Sequence, residues 1–266
     1  MASRAQQKEE ARQRRLAEER ARAEQAARQR RMFTIAGIVL AAVIVAGVAI
    51  AISTIGGKTK TGPPPTSAAG RQQVPIVGAL LNGIPQSGNR LGSPSAKVTV
   101  TEFGDLECPV CRSFALGAEN KLISQDVRAG KVQLIYRSLC TATCNGPNAS
   151  WFNAQQAAAE AAGLQGKEWY YVELFYHEQG DETTAYVNDS FLNEIAAQVP
   201  GLNYASWLSA RSSQTLINQV TTDQQNAAGH GFNSTPAMLF QGPKGTTSIT
   251  GDVDYSTLEH AIKTVS

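Results

Sequence analysis

Cysteine and histidine are scarce in this chain, with four of the first and three of the second in 266 residues. The histidines do not cluster, and only Cys108 and Cys111 have the spacing of half a zinc site. The other pair, Cys140 and Cys144, is spaced by three residues, so the second ligand pair of a zinc site is missing and no metal is expected. Basic charge is concentrated at one end. Residues 1–31 hold ten Lys/Arg and five Asp/Glu, a net of +5, and the rest of the chain carries −3. A domain without a basic excess is a poor match for nucleic acid. There are no internal repeats. The length and a hydrophobic content of 42% suffice for one or two domains with a real core.

Residues 1–32 read as an exposed, charge-laced helix or a solvated basic tail. Phe33 to Ile55 is a run of 23 residues without a charge. As a helix it would reach about 34 Å, enough for a hydrocarbon core of about 30 Å. Arg28, Arg30 and Arg31 precede it, and only Lys58 and Lys60 follow closely. The positive-inside rule then places the N-terminus in the cytoplasm and the remainder outside. Ala49-Ile50-Ala51 resembles a signal-peptide cleavage site, but the basic region and the apolar run are both too long for one. The expectation is an uncleaved signal anchor over 33–55. Residues 56–73 are rich in Gly, Pro, Ser and Thr and read as a linker, with a folded domain over 74–266.

Within that domain, Lys97 to Phe103 alternates as a strand, with Val98, Val100 and Glu102 on one face. A glutamate on an apolar face reads as a buried carboxyl able to relay protons, or as one that merely reaches the rim. Cys108-Pro109-Val110-Cys111 follows and opens a helix towards Ser124. Pro109 suits the first helical position, and a helix N-terminus favours a thiolate on the first cysteine. A redox pair is the leading reading, beside half a zinc site or a plain structural bridge. Val132 to Arg137 reads as a second, parallel strand, with Val132, Leu134 and Tyr136 on one face.

A helical block is expected from about 150 to 208, with Trp151, Trp169 and Trp207 as core residues or as the lining of a peptide groove. Another helix is predicted over Leu208 to Ala228. Thr235-Pro236 precedes the apolar run Ala237 to Phe240, a place for a cis peptide bond that would leave the Thr235 backbone free to pair with a passing chain. A turn, the strand Thr246 to Ile249, and a helix capped by Asp254 close the chain. Cys140 and Cys144 lie in a polar loop, close enough for a structural disulfide; a second redox centre is the alternative.

This order of elements, with the segment Val98-Thr99-Val100-Thr101-Glu102-Phe103-Gly104-Asp105-Leu106-Glu107-Cys108-Pro109-Val110-Cys111, resembles the DsbA-like branch of the thioredoxin superfamily, in its membrane-anchored actinobacterial form. The match covers about residues 80–266. It implies an α/β thioredoxin fold with a helical insertion, preceded by one transmembrane helix. It also implies a thiol–disulfide oxidoreductase without a cofactor, with Cys108 as exposed nucleophile, Cys111 as buried resolving thiol, Glu102 as buried acid, and Pro236 as a cis-proline behind Thr235. Implied partners are exported cysteine-containing polypeptides and a membrane quinone-linked reoxidase of the DsbB or VKOR kind. Val110 stands where a histidine is common, and Thr235 is typical of isomerase-type relatives. No dimerisation domain of the isomerase kind is visible, which favours an oxidase. An isomerase or reductase, or a tethered binding module or chaperone with a merely structural disulfide, are the competing functions.

Overall fold

The computed structural model describes residues 68–266. The expected basic segment, the signal anchor and the linker up to residue 67 lie outside these. Among the described residues no helix is long and apolar enough to cross a membrane.

The first element is a helix, α1 (Ala68–Leu81). It overlaps the expected linker over residues 68–73, and it contains Gly70 and Pro75, both poor helix formers. Tertiary contact outweighs that local cost. Val77 and Leu81 are buried in the core, and the Arg128 guanidinium donates to the last carbonyls, Leu80 O at 2.6 Å and Asn82 O at 2.9 Å. A short hairpin follows, β1 (Gln86–Ser87) and β2 (Arg90–Leu91). The central strand is β3 (Val98–Gly104). The helix α2 (Pro109–Phe114) opens at the cysteine pair. It continues through wider π-type turns at Ala115–Glu119 and Ile123–Val127, with α3 (Asn120–Leu122) between them.

Next comes β4 (Val132–Ser138), parallel to β3 as expected, with Glu102 opposite Tyr136. A short turn of helix, α4 (Ala142–Asn145), replaces the expected polar loop. The helical insertion consists of α5 (Phe152–Gly163), α6 (Glu168–Glu178), α7 (Asp189–Gln198) and α8 (Tyr204–Ala210). The helix expected over 208–228 is two helices, because Ser213 caps a new start, α9 (Gln214–Gly229), through its bond from Leu216 N–H. The strands β5 (Ala237–Gly242) and β6 (Gly245–Thr250) and the helix α10 (Tyr255–Val265) complete the chain. Asp254 caps α10, as read from sequence.

The sheet order is β1-β2-β4-β3-β5-β6, with β5 antiparallel to β3. This puts the C-terminal end of β3 and the Thr235-Pro236 segment before β5 side by side, at the N-terminus of α2. Val98, Val100 and Glu102 face the larger core cluster, whereas Phe103 packs with Ala227, Phe232 and Leu239 in a smaller one. Trp169 and Trp207 are fully buried and donate their indole N–H to Asn89 O and Ala158 O, so these two are core residues and line no groove. Trp151 is only half-buried.

Candidate active site

The cysteine pair sits where β3 ends. Gly104 has no room for a side chain, since an added Cβ would lie 2.7 Å from the Tyr136 ring. A turn closed by Cys108 N–H to Asp105 O at 3.0 Å then delivers Cys108 to the helix N-cap. Its backbone is extended there and Pro109 begins the helix, so the thiol faces the unpaired amides of the first turn. Gln179, at the end of α6, donates to Leu106 O at 2.7 Å and to Cys108 O at 3.1 Å. The helical insertion thereby holds the loop that carries Cys108.

Cys108 and Cys111 are both free thiols. Cys108 is 5% exposed and Cys111 is wholly covered. The expected exposed nucleophile is therefore a narrow opening onto one sulfur, flanked by the exposed Pro109 and Val110. The environments of the two thiols differ in sign. A hydrogen bond from Cys111, then one from the Thr235 hydroxyl and the amides of Cys111 and Val110, outweigh burial and bring Cys108 down from 9.0 to about 6. Burial, and then the neighbouring Cys108, push Cys111 well above its ordinary value.

The peptide bond between Thr235 and Pro236 is cis. Cys108 Sγ lies 3.7 Å from the Thr235 carbonyl, and the Thr235 hydroxyl lies beside both sulfurs. Cys140 and Cys144 form a disulfide with Cα atoms 5.7 Å apart, across α4. It adjoins the redox pair through Thr141, whose hydroxyl is 2.6 Å from that of Thr235.

Glu102 is buried, as one reading of the strand had it. It is joined by two acids that sequence reasoning missed, Glu119 and Glu173. Burial raises the pKa of all three, and their mutual repulsion adds to this for Glu119 and Glu173. Glu102 and Glu119 lie within hydrogen-bonding reach, a bond that exists only while one of them holds a proton. Glu102 and Cys111 both act on Tyr136 and Tyr176, so the acid group and the inner thiol share a buried polar environment. Sequence reasoning also missed Asp105 and Glu107, both buried beside Cys108. Glu107 accepts from Asn148 at 2.6 Å and Gln155 at 2.9 Å. The available signal was two acids in the otherwise apolar stretch from Phe103 to Cys111.

A helix-capping cysteine whose thiolate is favoured, a covered partner thiol three residues on, and a cis-proline segment against them form an arrangement able to carry out thiol–disulfide exchange. Known proteins agree. The family model described as Thioredoxin matches residues 86–264. A probable disulfide bond formation protein D from Bacillus anthracis is 25% identical over 180 residues, which is 63% of this chain and 80% of that protein. A Na(+)/H(+) antiporter NhaA 1 from Mycolicibacterium gilvum is 30% identical over 175 residues, 64% of this chain but only 26% of that protein. Among solved structures, oxidised BdbD from Bacillus subtilis superposes with a TM-score of 0.57 at 19% identity, over 68% of this chain and 97% of that one. A thioredoxin-like oxidoreductase from Silicibacter pomeroyi gives 0.51 at 25% identity, over 70% and 95%. The chain belongs to the thioredoxin family, as a thiol–disulfide oxidoreductase of the DsbA-like kind.

Proposed function

We propose that this protein is an extracytoplasmic oxidase, tethered by residues 33–55, that forms disulfides in exported cysteine-containing polypeptides. The observation that carries this reading is the opposed environment of the two thiols. A thiolate stabilised at about 6 on Cys108 stabilises the reduced protein, and a stable reduced form makes its disulfide an oxidant.

In the oxidised protein a substrate thiolate attacks Cys108 Sγ. The Cys108–Cys111 bond breaks, and Cys111 leaves with the electron pair and takes up a proton. The raised pKa of Cys111 favours that protonation, and the Glu102 group is the proposed source of the proton. A second substrate thiolate then attacks the substrate sulfur of the mixed disulfide. Cys108 departs as a thiolate, for which its low pKa suits it. The substrate gains one disulfide, and the protein keeps two electrons, which pass to a quinone-linked membrane partner of the DsbB or VKOR kind. In the reverse direction Cys111 resolves the mixed disulfide. Thr235 and Pro236 offer the passing chain backbone to pair with.

The reduction potential of the Cys108/Cys111 pair tests this. A value towards about −120 mV supports the oxidase, and one towards about −270 mV would make the protein a reductant.

A further inference from the structure

A cavity of about 380 Å³ lies where the helical insertion meets the β1–β2 hairpin, β4 and α9. Its lining includes neither cysteine of the redox pair nor the Thr235-Pro236 segment. Two carboxyls face it. Glu168, the first residue of α6, is only 3% exposed, and among the described residues no hydrogen bond reaches its oxygens. Gly163, at the end of α5, makes room for it, since an added Cβ there would overlap Glu168 Oε2. Glu160, on α5, has both oxygens buried without a hydrogen-bond partner. A third acid beside them, Asp223 of α9, is already answered. It pairs with Arg137 and accepts from Ser138 N–H at 3.2 Å and from Gln219 at 3.0 Å. The one guanidinium in the cavity wall is therefore engaged, and the two glutamates lack a donor of their own.

A buried carboxylate without a donor is costly, so such a group stays protonated or finds a cation. Burial, and then the Glu168 charge, push Glu160 up to about 9. Burial, and then Asp223, push Glu168 up to about 8, while Arg137 pulls both the other way. At neutral pH the empty cavity thus holds two protons that a cation can replace. The surroundings decide what kind of cation. Calcium takes about six to eight oxygen ligands, and this wall offers a guanidinium where further oxygens would be needed. The volume is that of a small organic ligand, and Leu164 and Leu216 supply apolar wall beside the acids. An ammonium head has three donors for the carboxyls, and an alkyl stem matches the leucines.

We propose that this cavity binds a primary ammonium ion on a short aliphatic chain, either a free amine or a lysine side chain. Glu160 and Glu168 hold the head group as carboxylates. Each carboxyl that ionises on binding gives its proton to solvent.

The test is calorimetric titration of the full chain, in its Cys108–Cys111 disulfide form, with n-butylamine at pH 6.5 and 8.5. Ammonium groups of the lysine type titrate near about 10.4, so the ligand is charged throughout. Binding at pH 8.5 is expected with a millimolar Kd or better, within reach of so small a ligand. At pH 6.5 both carboxyls hold their protons, and binding should be at least about tenfold weaker. The measured heat should vary with the ionisation enthalpy of the buffer, as proton release requires. Glu160→Gln and Glu168→Gln keep the shape of the protonated acids, and each should weaken binding at least about tenfold at pH 8.5. n-Butanol has the same chain without the charge and should not bind. Nα-acetyl-lysine N-methylamide separates the two sources. A Kd no weaker than that of n-butylamine assigns the site to a lysine side chain, and a much weaker one assigns it to a free amine. No binding of either amine up to about 20 mM at pH 8.5 overturns the proposal. So does binding that both glutamine variants leave intact, that weakens as pH rises, or that n-butanol matches. Calcium chloride that binds these carboxyls more tightly than the amine overturns it too. The titration involves no electron transfer, so the oxidase reading stands or falls separately.

Discussion

Replacing Glu173 with glutamine should stabilise the protein at pH 8 and leave it unchanged at pH 4. Glu173 lies on α6, wholly buried, and among the described residues neither of its oxygens has a hydrogen-bond donor. Burial, and then the charge of Glu102, raise its pKa from 4.5 to about 8. The folded protein therefore holds this proton up to about pH 8, while the unfolded chain releases it near 4.5. Folding takes up a proton in that window, so the stability is fully present below pH 4.5. It falls as pH rises and levels off above about 8. At about 1.4 kcal/mol per pH unit, the ceiling is about 5 kcal/mol. Glu102 and Glu119 share the same charge repulsion, and part of the cost stays with them in the variant. About 2 kcal/mol at pH 8 is the working expectation, or about 4–8 °C in Tm for a domain of this size. Glutamine has the shape of the neutral acid, so the comparison at pH 4 subtracts any packing change. Thermal melts of the Cys108–Cys111 disulfide form keep the ionisation of Cys108 out of the result. A variant that is less stable at pH 8, or whose difference from the parent is the same at both pH values, would refute the account of a proton-holding acid group.

Three further outcomes are expected. Brief alkylation of the reduced protein at pH 7 should label Cys108 and spare Cys111, with a rate that rises through about pH 6 as the thiolate forms; adducts mainly on Cys111 would reverse the assignment. The Cys140→Ser/Cys144→Ser double variant should retain most dithiol-oxidising activity, because Asp105 still ties Thr141 and Thr143 in place, and should lose about 2 kcal/mol or less of stability on unfolding; a collapse of turnover with Cys108 reactivity intact would put this bridge in the electron path. A reporter active only in the cytoplasm, fused after Ser266, should be silent, and an active one would mean that the topology is inverted.

The placement of the Cys108/Cys111 pair was readable because its signals are local. A strand alternating over seven residues, a Cys-x-x-Cys with proline at the first helical position, and a polar cap at Asp254 each depend on neighbours a few positions away. The Cys140–Cys144 bridge belongs to the same class, since four residues can span only a short distance. The failures were places where distant packing outweighed local preference. α1 forms through Gly70 and Pro75 because Val77 and Leu81 reach the core and Arg128 caps its end. The long helix expected over 208–228 breaks because Ser213 offers a cap that the apolar periodicity conceals.

By itself, then, the sequence determined that a cysteine would stand at a helix start, that a glutamate would share an apolar face below it, and that a proline segment would precede a strand. Only the tertiary structure decided what surrounds them. Thr141 and Thr235 are 94 positions apart, and their contact exists because β5 pairs with β3 while the loop after β4 folds back onto Asp105. Glu173 joins Glu102 because α6 of the insertion covers that face of the sheet. A side chain's charge depends on every group packed against it, and those groups come from segments that chain proximity does not relate.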